Sequence, residues 1–307
     1  MQTKEKFMRL LDKRIDMYLE EGLAESYPDY PSMLYTIKTD KKAWLESYGV
    51  GDIPDPLPFD GITKYQEVSP GYWSKIEPRE WAGGIIIERL LWETEQYGAI
   101  EDMVKGLPRA MKRIRNKHAI DEFANASSTA FNFVTSEEGV ALCSTAHTTK
   151  ADGVSTTTGF SNLSVLTFDA VNLEAVRLQG IGIKSDIGER VFDWDFDTIW
   201  YGSTLAAEVN EAIESQRKPD TNFNNDNYQA KLRWKTLEIP MLDDYGTKTW
   251  GILDSKKMKK YNLWHDLIKP EYDKVDEFDT KVRKRSSYGA WGCGPVGWRW
   301  IVAGASA

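Results

Sequence analysis

Cysteine and histidine are scarce in this chain, and long apolar runs are missing from it. The 307 residues include two cysteines and three histidines. Two cysteines cannot build a disulfide framework, which indicates a chain made in a reducing compartment. No stretch approaches the ~20 apolar residues that cross a bilayer, and the N-terminus lacks the apolar core of a secretion signal. We therefore expect a protein without a membrane partner that stays in the cell that makes it.

Basic charge is also in deficit. The chain has 39 Lys and Arg against 47 Asp and Glu, which gives a formal net charge of −8. A general nucleic-acid binder usually carries a basic excess, so the composition argues against that class. The short basic run at 281–285 is predicted to be a solvated segment, and the alternative is a contact with a phosphate or with a partner's acidic group.

The motifs of common enzyme classes are absent from the sequence. There is no G-x-x-x-x-G-K-[ST] phosphate loop and no G-x-S-x-G nucleophile elbow, and the G-x-G at 180–182 lacks a third glycine. The acidic run at 193–197, DWDFD, contains carboxylates of the kind that bind metal ions. Its alternation of acids with aromatic residues favours a strand end or a turn with one wet face. We predict no catalytic residue, no cofactor and no metal.

The stretch 141–159 is the strongest candidate for chemistry, because it holds Cys143 and His147 four residues apart. A nucleophilic cysteine is normally placed at a helix N-terminus or beside a cation, and this loop offers neither. A zinc site needs four ligands. The other candidate ligands are Cys293, His118 and His265, which follow no recognisable spacing. We favour a polar loop in which Cys143 packs as a small apolar residue, and a Cys/His enzyme stays the alternative.

Tryptophan is abundant, with twelve in the chain. A large ring with one N–H donor suits both protein cores and protein interfaces. We expect most of these rings in the core, and those in extended, turn-rich segments at interfaces.

Apolar periodicity predicts helices at both ends of the first half of the chain. Residues 4–21 form an amphipathic pattern that Gly22 would cap. Residues 99–125 carry the strongest pattern, and a helix of that length spans roughly 40 Å. Pro108 is expected to kink this helix or to start a new segment. Further helices are predicted to end at Gly180 and to span Leu205–Ser215.

The segments before the long helix favour extended structure. Residues 27–61 contain five prolines and are expected to be irregular, which is typical of a functional or linking segment. Residues 62–68 and 72–81 are predicted to pair as a long hairpin around the turn Ser69-Pro70-Gly71. Gly83-Gly84 is expected to break the pattern before a short, strongly apolar strand at 85–89. This polar hairpin has little core to bury against in its own chain.

The second half mixes short elements. We predict a strand at 197–204, a turn of asparagines at 221–229, and a hairpin of 232–242 with 247–254. A glycine-rich turn at 289–297 should precede a last strand at 298–304. No internal repeat is present, and the pattern as a whole predicts an α+β protein.

The order of several motifs resembles the major capsid proteins of tailed double-stranded DNA bacteriophages, most of all the Mu-type head subunit branch. The motifs are an apolar strand ending near I-x-R at 85–89, an acidic-aromatic turn at 95–98, a long helix ending DEFANAS, and the segment GVALCSTAHTT. The resemblance covers roughly residues 40–307. In that family the loop with His147 is a structural connector.

The resemblance implies the tailed-phage major capsid fold, with five regions along the chain. These are an N-terminal arm (1–40), an extended β-hairpin loop (41–90), a peripheral domain with the long spine helix (91–165), an axial domain (166–275) and a C-terminal closing segment of the body (276–307).

The function that the resemblance implies is structural. Copies of the chain would assemble into pentamers and hexamers that form an icosahedral head around double-stranded DNA, in the virion, after assembly in the host bacterial cytoplasm. Scaffold, portal and decoration proteins are further candidate partners, and the DNA would make only nonspecific contacts. The alternative is another phage component, such as a tail or adaptor ring protein.

Candidate assembly residues lie on and beside the extended loop. Aromatic side chains are enriched in protein interfaces, and an extended hairpin gains stability when it binds a neighbour. Some relatives also link subunits through a Lys–Asn bond, but no motif transfers that chemistry to the two lysines of this loop. The candidates are Lys64, Tyr65, Tyr72, Trp73, Lys75, Trp81 and Arg89.

Overall fold

The computed structural model describes residues 2–94, 97–191, 193–215, 226–246, 249–277 and 282–304. Its α-helices are α1 (Gln2–Ala24), α2 (Tyr30–Leu34), α3 (Arg89–Glu93), α4 (Tyr97–Ala124), α5 (Ala170–Ile181), α6 (Ala206–Glu214), α7 (Tyr228–Lys231) and α8 (Ser255–Tyr261). Its strands are β1 (Thr36–Lys38), β2 (Leu45–Val50), β3 (Pro70–Ile76), β4 (Arg79–Glu88), β5 (Val134–Ser136), β6 (Leu163–Ser164), β7 (Thr198–Tyr201), β8 (Lys235–Glu238), β9 (Trp250–Leu253), β10 (Asn262–Asp276), β11 (Val282–Pro295) and β12 (Ile301–Gly304).

The strands form three sheets within the described residues. A four-stranded sheet has the order β1-β10-β11-β4, a five-stranded sheet the order β6-β12-β9-β7-β8, and a three-stranded sheet the order β2-β3-β5. Parallel and antiparallel pairs occur together, since β1 runs parallel to β10 and β7 parallel to β8, while β10 runs antiparallel to β11. The predicted α+β class is confirmed.

The predicted spine helix is confirmed as α4, whose 28 residues span about 42 Å. It does not restart at Pro108, which lies buried inside the helix. The reason is tertiary packing, because α1 lies along α4 at this point. Gly22, the predicted cap, instead lies inside α1, where an added Cβ would be 3.1 Å from the Cα of Lys105. The missing side chain lets the two helices approach closely.

The N-terminal helix packs on the spine of its own chain. Glu21 forms an ion pair with Lys105 at 2.7 Å, and Glu25 forms one with Arg109 at 2.5 Å. Ile15 of α1 is buried in a small apolar cluster with Ile87, Ile100 and Val104. Helix α1 is therefore docked over α4 and the end of β4.

The main core joins the C-terminal half of α4 with strands of all three sheets, and aromatic rings fill much of it. Most of the tryptophans lie in the core, as predicted. Six are buried and three more pack against the core: Trp200, Trp250, Trp264, Trp291, Trp298 and Trp300, with Trp81, Trp194 and Trp234 beside them. Phe123 of α4 contacts Trp200 and Trp300 edge-on, at 5.5 and 6.1 Å between ring centroids.

The glycine-rich turn predicted at 289–297 is wrong, because residues up to Pro295 belong to the long strand β11. Because glycine has no side chain, these residues of β11 allow neighbouring segments to pack closely against the strand. A Cβ at Gly294 would collide with Val134, and one at Gly292 would be 3.0 Å from the carbonyl oxygen of Glu77. The prediction of a solvated basic run is also wrong for Arg283 and Arg285, which are only 3% and 4% exposed. Alternate residues of a strand share one face, and the face that carries Arg283 and Arg285 is covered by the rest of the protein. Lys281, the first residue of the run, lies outside the described residues.

The hairpin predicted from 232–242 and 247–254 is wrong. Strand β8 pairs with one side of β7 and β9 with the other, so β7 separates them. All four residues of β7 are buried, which explains its place at the centre. The helix ending near Gly180 and the helix at 205–215 are confirmed, and the strand predicted at 197–204 is present over Thr198–Tyr201. Most of the predicted asparagine turn, 221–225, lies outside the described residues, as do 95–96 of the acidic-aromatic turn.

Candidate assembly surface

A hairpin of β2 and β3 carries the candidate surface. Its register pairs Leu45 with Ile76 and Tyr48 with Trp73, and the N–H of Gly51 donates to the carbonyl of Ser69 at 2.9 Å. Residues 51–69 connect the two strands without regular structure, and we call them the tip loop. The prediction of irregular structure over 27–61 holds over a long stretch only for residues 51–61, because α2, β1 and β2 occupy much of the rest.

The hairpin predicted from 62–68 and 72–81 is wrong, because β3 pairs with β2 and residues 62–68 lie in the tip loop. The segment 72–81 also divides at Glu77-Pro78, since proline has no N–H for a ladder and restricts the residue before it. Its halves join different sheets. Gly83-Gly84 does not break β4, where the two glycines pair with Ser287 and Ser286.

The tip loop presents large apolar side chains to solvent. Tyr65, one of the predicted residues, is 94% exposed. Monomeric proteins rarely expose a contiguous group of such side chains without a partner. The loop therefore has the character of a binding surface. Its exposed large apolar residues are Ile53, Leu57, Phe59, Ile62, Tyr65 and Val68.

The other predicted residues before β4 have different surroundings. Lys64 lies in the tip loop and pairs with Asp60 at 2.9 Å. Tyr72, Trp73 and Lys75 lie on β3.

Contacts of these β3 residues fasten the hairpin to the body. The hydroxyl of Tyr72 is hydrogen-bonded to that of Thr148 at 2.8 Å, and the backbone N–H of Trp73 donates to Glu137 at 3.0 Å. The ammonium group of Lys75 lies 4.4 Å above the ring of Trp44, which directly precedes β2, so this contact joins the two strands at the base of the hairpin.

Trp81 points into the protein rather than toward a neighbour. Its ring centroid lies 4.5 Å from that of His118 and 6.0 Å from that of Trp291. Arg89 begins α3 and pairs with Glu93 at 2.9 Å. The structure thus brings Lys64 and Tyr65 together on the tip loop and places the other five residues elsewhere.

The loop with Cys143 and His147 is built as a connector. Cys143 is 1% exposed, and burial raises the pKa of its thiol. The ring of His147 is stacked on Trp298, with centroids 4.0 Å apart. Its Nδ1 lies 3.0 Å from Oε1 of Glu138 and its Nε2 lies 3.1 Å from Oδ1 of Asn162.

Asn162 is the centre of this connector, and sequence reasoning missed it. Its Nδ2 donates to the carbonyls of Leu142, Trp298 and Ile301 at 2.9, 3.3 and 3.1 Å. Its Oδ1 accepts the N–H of Ser144 at 2.8 Å. The residue is completely buried, so one amide joins the loop to the C-terminal end of the chain. No pattern in the sequence around this asparagine distinguishes it.

Neither cysteine is expected to react with a thiol reagent in the folded protein. Both are buried, and burial raises the pKa of both thiols, so little nucleophilic thiolate forms. A chromogenic thiol reagent should label neither cysteine in buffer and both in denaturant. A Thr145→Cys variant, with its new thiol on the exposed part of the same loop, is the positive control. Rapid labelling of native Cys143 would contradict this and favour the Cys/His enzyme.

The acidic run at 193–197 is occupied by protein contacts. Asp193 forms an ion pair with Lys257. Burial opposes ionisation of Asp197, but hydrogen bonds from Lys235, Ser255 and Thr198 outweigh it and lower the pKa to about 2.

In the part of the chain that the structure describes, no three His, Cys, Asp or Glu side chains are arranged to hold a metal ion. None of the described helices is long and apolar enough to span a membrane.

Comparison with known proteins identifies the fold. The sequence matches no model of a known protein family and no curated protein sequence. The structure is similar to the Cyanophage Pam1 capsid asymmetric unit, with a TM-score of 0.55 and 9% identity over 92% of this chain and 93% of that chain. It is similar to the capsid of Ralstonia phage GP4, with a TM-score of 0.54 and 10% identity over 91% and 90%. A structure of Microbacterium phage Oxtober96 has a TM-score of 0.52 and 9% identity over 92% of each chain.

The chain therefore has the phage major capsid fold, as predicted. The similarity extends over nearly the whole of both chains. Assignment to the Mu-type branch stays a prediction.

Proposed function

We propose that this chain is the structural subunit of a bacteriophage head, assembling with copies of itself into pentamers and hexamers that enclose double-stranded DNA. The observation that carries the proposal is the agreement of its fold, over 92% of its length, with the Cyanophage Pam1 capsid structure. The location is then the virion, after assembly in the host bacterial cytoplasm. No enzymatic activity is part of the proposal.

The exposed tip loop supports self-assembly on physical grounds. Its apolar side chains gain about 1.5–3 kcal/mol each when fully buried, and a neighbouring copy would bury them. Obligate interfaces are large and rich in apolar and aromatic groups. Contacts between two different surfaces of one chain close by rotation into rings, as pentamers and hexamers require.

The regions of the chain have separate roles in this proposal. The arm (1–40) and the closing segment (276–307) complete the body, the extended loop (41–90) reaches a neighbour, the peripheral domain (91–165) carries the spine, and the axial domain (166–275) surrounds the capsomer centre. Lys64, Tyr65 and Arg89 are proposed to contact the neighbour, while Tyr72, Trp73, Lys75 and Trp81 hold the loop in place.

Charge limits the contact with DNA. A subunit of net charge −8 does not attract a polyanion as a whole, so the enclosed DNA meets weak, nonspecific contacts. Scaffold, portal and decoration proteins are proposed as further partners.

The test is to express the full chain and examine it by electron microscopy, with light scattering for mass. Closed shells, or rings with five and six subunits, are expected. Rings of a single symmetry would instead indicate a tail or adaptor component. A chain that stays monomeric, alone and with its scaffold, would refute the proposal.

Removing the apolar side chains of the tip loop is expected to abolish assembly without unfolding the chain. Replacing Ile53, Leu57, Phe59, Ile62 and Tyr65 by serine removes most of the apolar area that a neighbour would bury. Because these side chains are exposed in the single chain, thermal unfolding should change little. The control is Asp52→Ser with Asp55→Ser, which alters the same loop and keeps its apolar groups. Shells of normal size from the fivefold variant would contradict this role.

A further inference from the structure

The four-stranded sheet ends in an open edge. Strand β4 pairs along its whole length, Arg79–Glu88, with β11 on one side. On its other side, no described strand pairs with it and no described backbone group outside the sheet bonds to it. Residues 82–84 at the middle of the strand are exposed. An edge of this kind can accept a further strand through its free N–H and C=O groups.

The sequence of β4 leaves the middle of that edge unprotected, because its charged residues, Arg79, Glu80 and Glu88, lie at the two ends of the strand. Natural edge strands carry lysine, proline or a bulge that discourages pairing. The strand REWAGGIIIE has no lysine and no proline, and its ladder with β11 runs without a register shift. Gly83 and Gly84 leave the backbone uncovered at its centre. The edge is therefore suited to a partner strand.

An apolar recess lies at the C-terminal end of β4. It has a volume of about 480 Å³; Leu91 and Met103 contribute to its wall, and Glu88 and Thr94 are its polar members. Ile86 and Leu90, which also line it, are 53% and 69% exposed. A strand bound at the edge would bring its own side chains beside this recess.

A strand-forming segment without a partner exists in the same chain. Residues 62–68, ITKYQEV, are rich in residues that favour strands, but in the tip loop they have no regular structure. Phe59 and Ile62, both exposed, are at its N-terminal end. Within one chain, the extended strand β3 keeps the tip loop about 20 Å from the start of β4. We therefore expect the partner strand to come from a second copy.

We propose that residues 62–68 of one copy add as a strand to the outer edge of β4 in a neighbouring copy, with Phe59 or Ile62 entering the recess at Ile86 and Leu90. Seven residues span about 23 Å, within the ~33 Å of β4. The two surfaces are different parts of one chain, so the contact is head-to-tail and propagates around a ring. The inference rests on the proposed self-assembly and specifies its main contact.

Cysteine pairs test the contact directly. Each variant carries Ala82→Cys on the exposed face of β4 and one further cysteine at a position from 62 to 68. The native cysteines are buried and do not interfere. Directly opposite residues of two antiparallel strands have Cα atoms about 4.5–5.5 Å apart, which is within the range that a disulfide can bridge. Along the added strand, the side chains of adjacent residues point to opposite faces of the sheet.

The expected result is disulfide-linked oligomers of up to five or six chains, formed in assembled particles after mild oxidation and seen on a non-reducing gel. Crosslinking should be strongest at one loop position, weaker two positions away and lost at the positions between. The matched control replaces Ala82→Cys by Val171→Cys, which exposes a thiol on α5 and should give no oligomers.

The outcomes separate this inference from the proposed function. Shells that form without crosslinks, or with crosslinks lacking the period of two, would overturn strand addition and leave the capsid function standing. If no variant assembles, a synthetic peptide of residues 55–69 is titrated against the full native chain. Binding that is lost in an Ile86→Asp and Leu90→Asp variant supports the contact, and no binding overturns it.

Discussion

Replacing Glu122 by glutamine is expected to stabilise the folded chain by about 4 kcal/mol at pH 8 and to leave its stability unchanged near pH 4. Glu122 lies on α4, and its carboxyl group contacts the hydroxyl of Tyr35 at 2.7 Å. Burial raises its pKa from 4.5 to about 8; the hydrogen bond from Tyr35 opposes this shift and the charge of Asp121 adds to it.

The hydrogen bonds around Glu122 are consistent with a neutral acid. The Tyr35 hydroxyl also lies 2.8 Å from the carbonyl of Ala119, and its single proton cannot serve both acceptors. A protonated Glu122 resolves this, because it donates to Tyr35 while Tyr35 donates to Ala119. The side-chain amide of Asn262, with its nitrogen toward Glu122, donates at 2.9 Å. Glutamine reproduces this pattern without a titrating proton.

The direction of the pH effect follows from the two pKa values. The unfolded chain loses the proton of Glu122 near pH 4.5, while the folded chain keeps it until about pH 8. Stability therefore falls as the pH rises between these values, at most by about 1.4 kcal/mol per pH unit for this one group, and then levels off. The glutamine variant should lack this contribution.

Urea denaturation at several pH values from 4 to 9 measures the effect. The control is Glu93→Gln, which alters an exposed carboxylate and should change stability by less than about 0.5 kcal/mol. A glutamine variant whose stability follows the pH in parallel with the native chain would show that Glu122 is ionised in the fold. Because Tyr35 follows α2, the measurement also reports how the end of the N-terminal arm is held on the spine.

Local patterns predicted the helices well and the pairing of strands badly. The spine helix could be predicted because its apolar face repeats along 28 consecutive residues. The partner of a strand depends on distant residues. Strand β3 pairs with β2, and β8 and β9 are separated by β7, and neither arrangement follows from the turn residues between the strands. The prediction of a turn in β11 is wrong because glycine is a turn signal in most sequences, whereas in this strand its missing side chain permits close packing.

The candidate surface could be predicted in position but not in detail. The proline-rich composition located the extended region, and the tip loop lies there. Which way a side chain points depends on register and on the fold around it, so Trp81 turned out to face His118 and Trp291. The composition of 62–68 indicates a strand, and the part of the chain that the structure describes offers this segment no partner strand. We interpret that mismatch as a sign of a contact between copies.

Replacing Asn162 by alanine is expected to destabilise the chain by about 3–5 kcal/mol. The change leaves three buried carbonyls without the Nδ2 donor. It also removes the acceptor of the Ser144 N–H and of His147 Nε2. Alanine cannot replace any of these bonds, and the site is completely buried. Chemical denaturation measures the loss, with exposed Asn125→Ala as the control.

A second substitution at the same position separates lost hydrogen bonds from lost volume. Asn162→Asp keeps the shape and the Oδ1 acceptor, but it turns a carboxylate oxygen toward the carbonyls of Leu142, Trp298 and Ile301. The aspartate variant should therefore be at least as unstable as the alanine variant near neutral pH. It should recover as the pH falls, because the protonated acid can donate to one carbonyl, whereas the alanine variant gains nothing from acid. An alanine variant within about 1 kcal/mol of the native chain would mean that the loop of Cys143 and His147 is held to the body by other contacts.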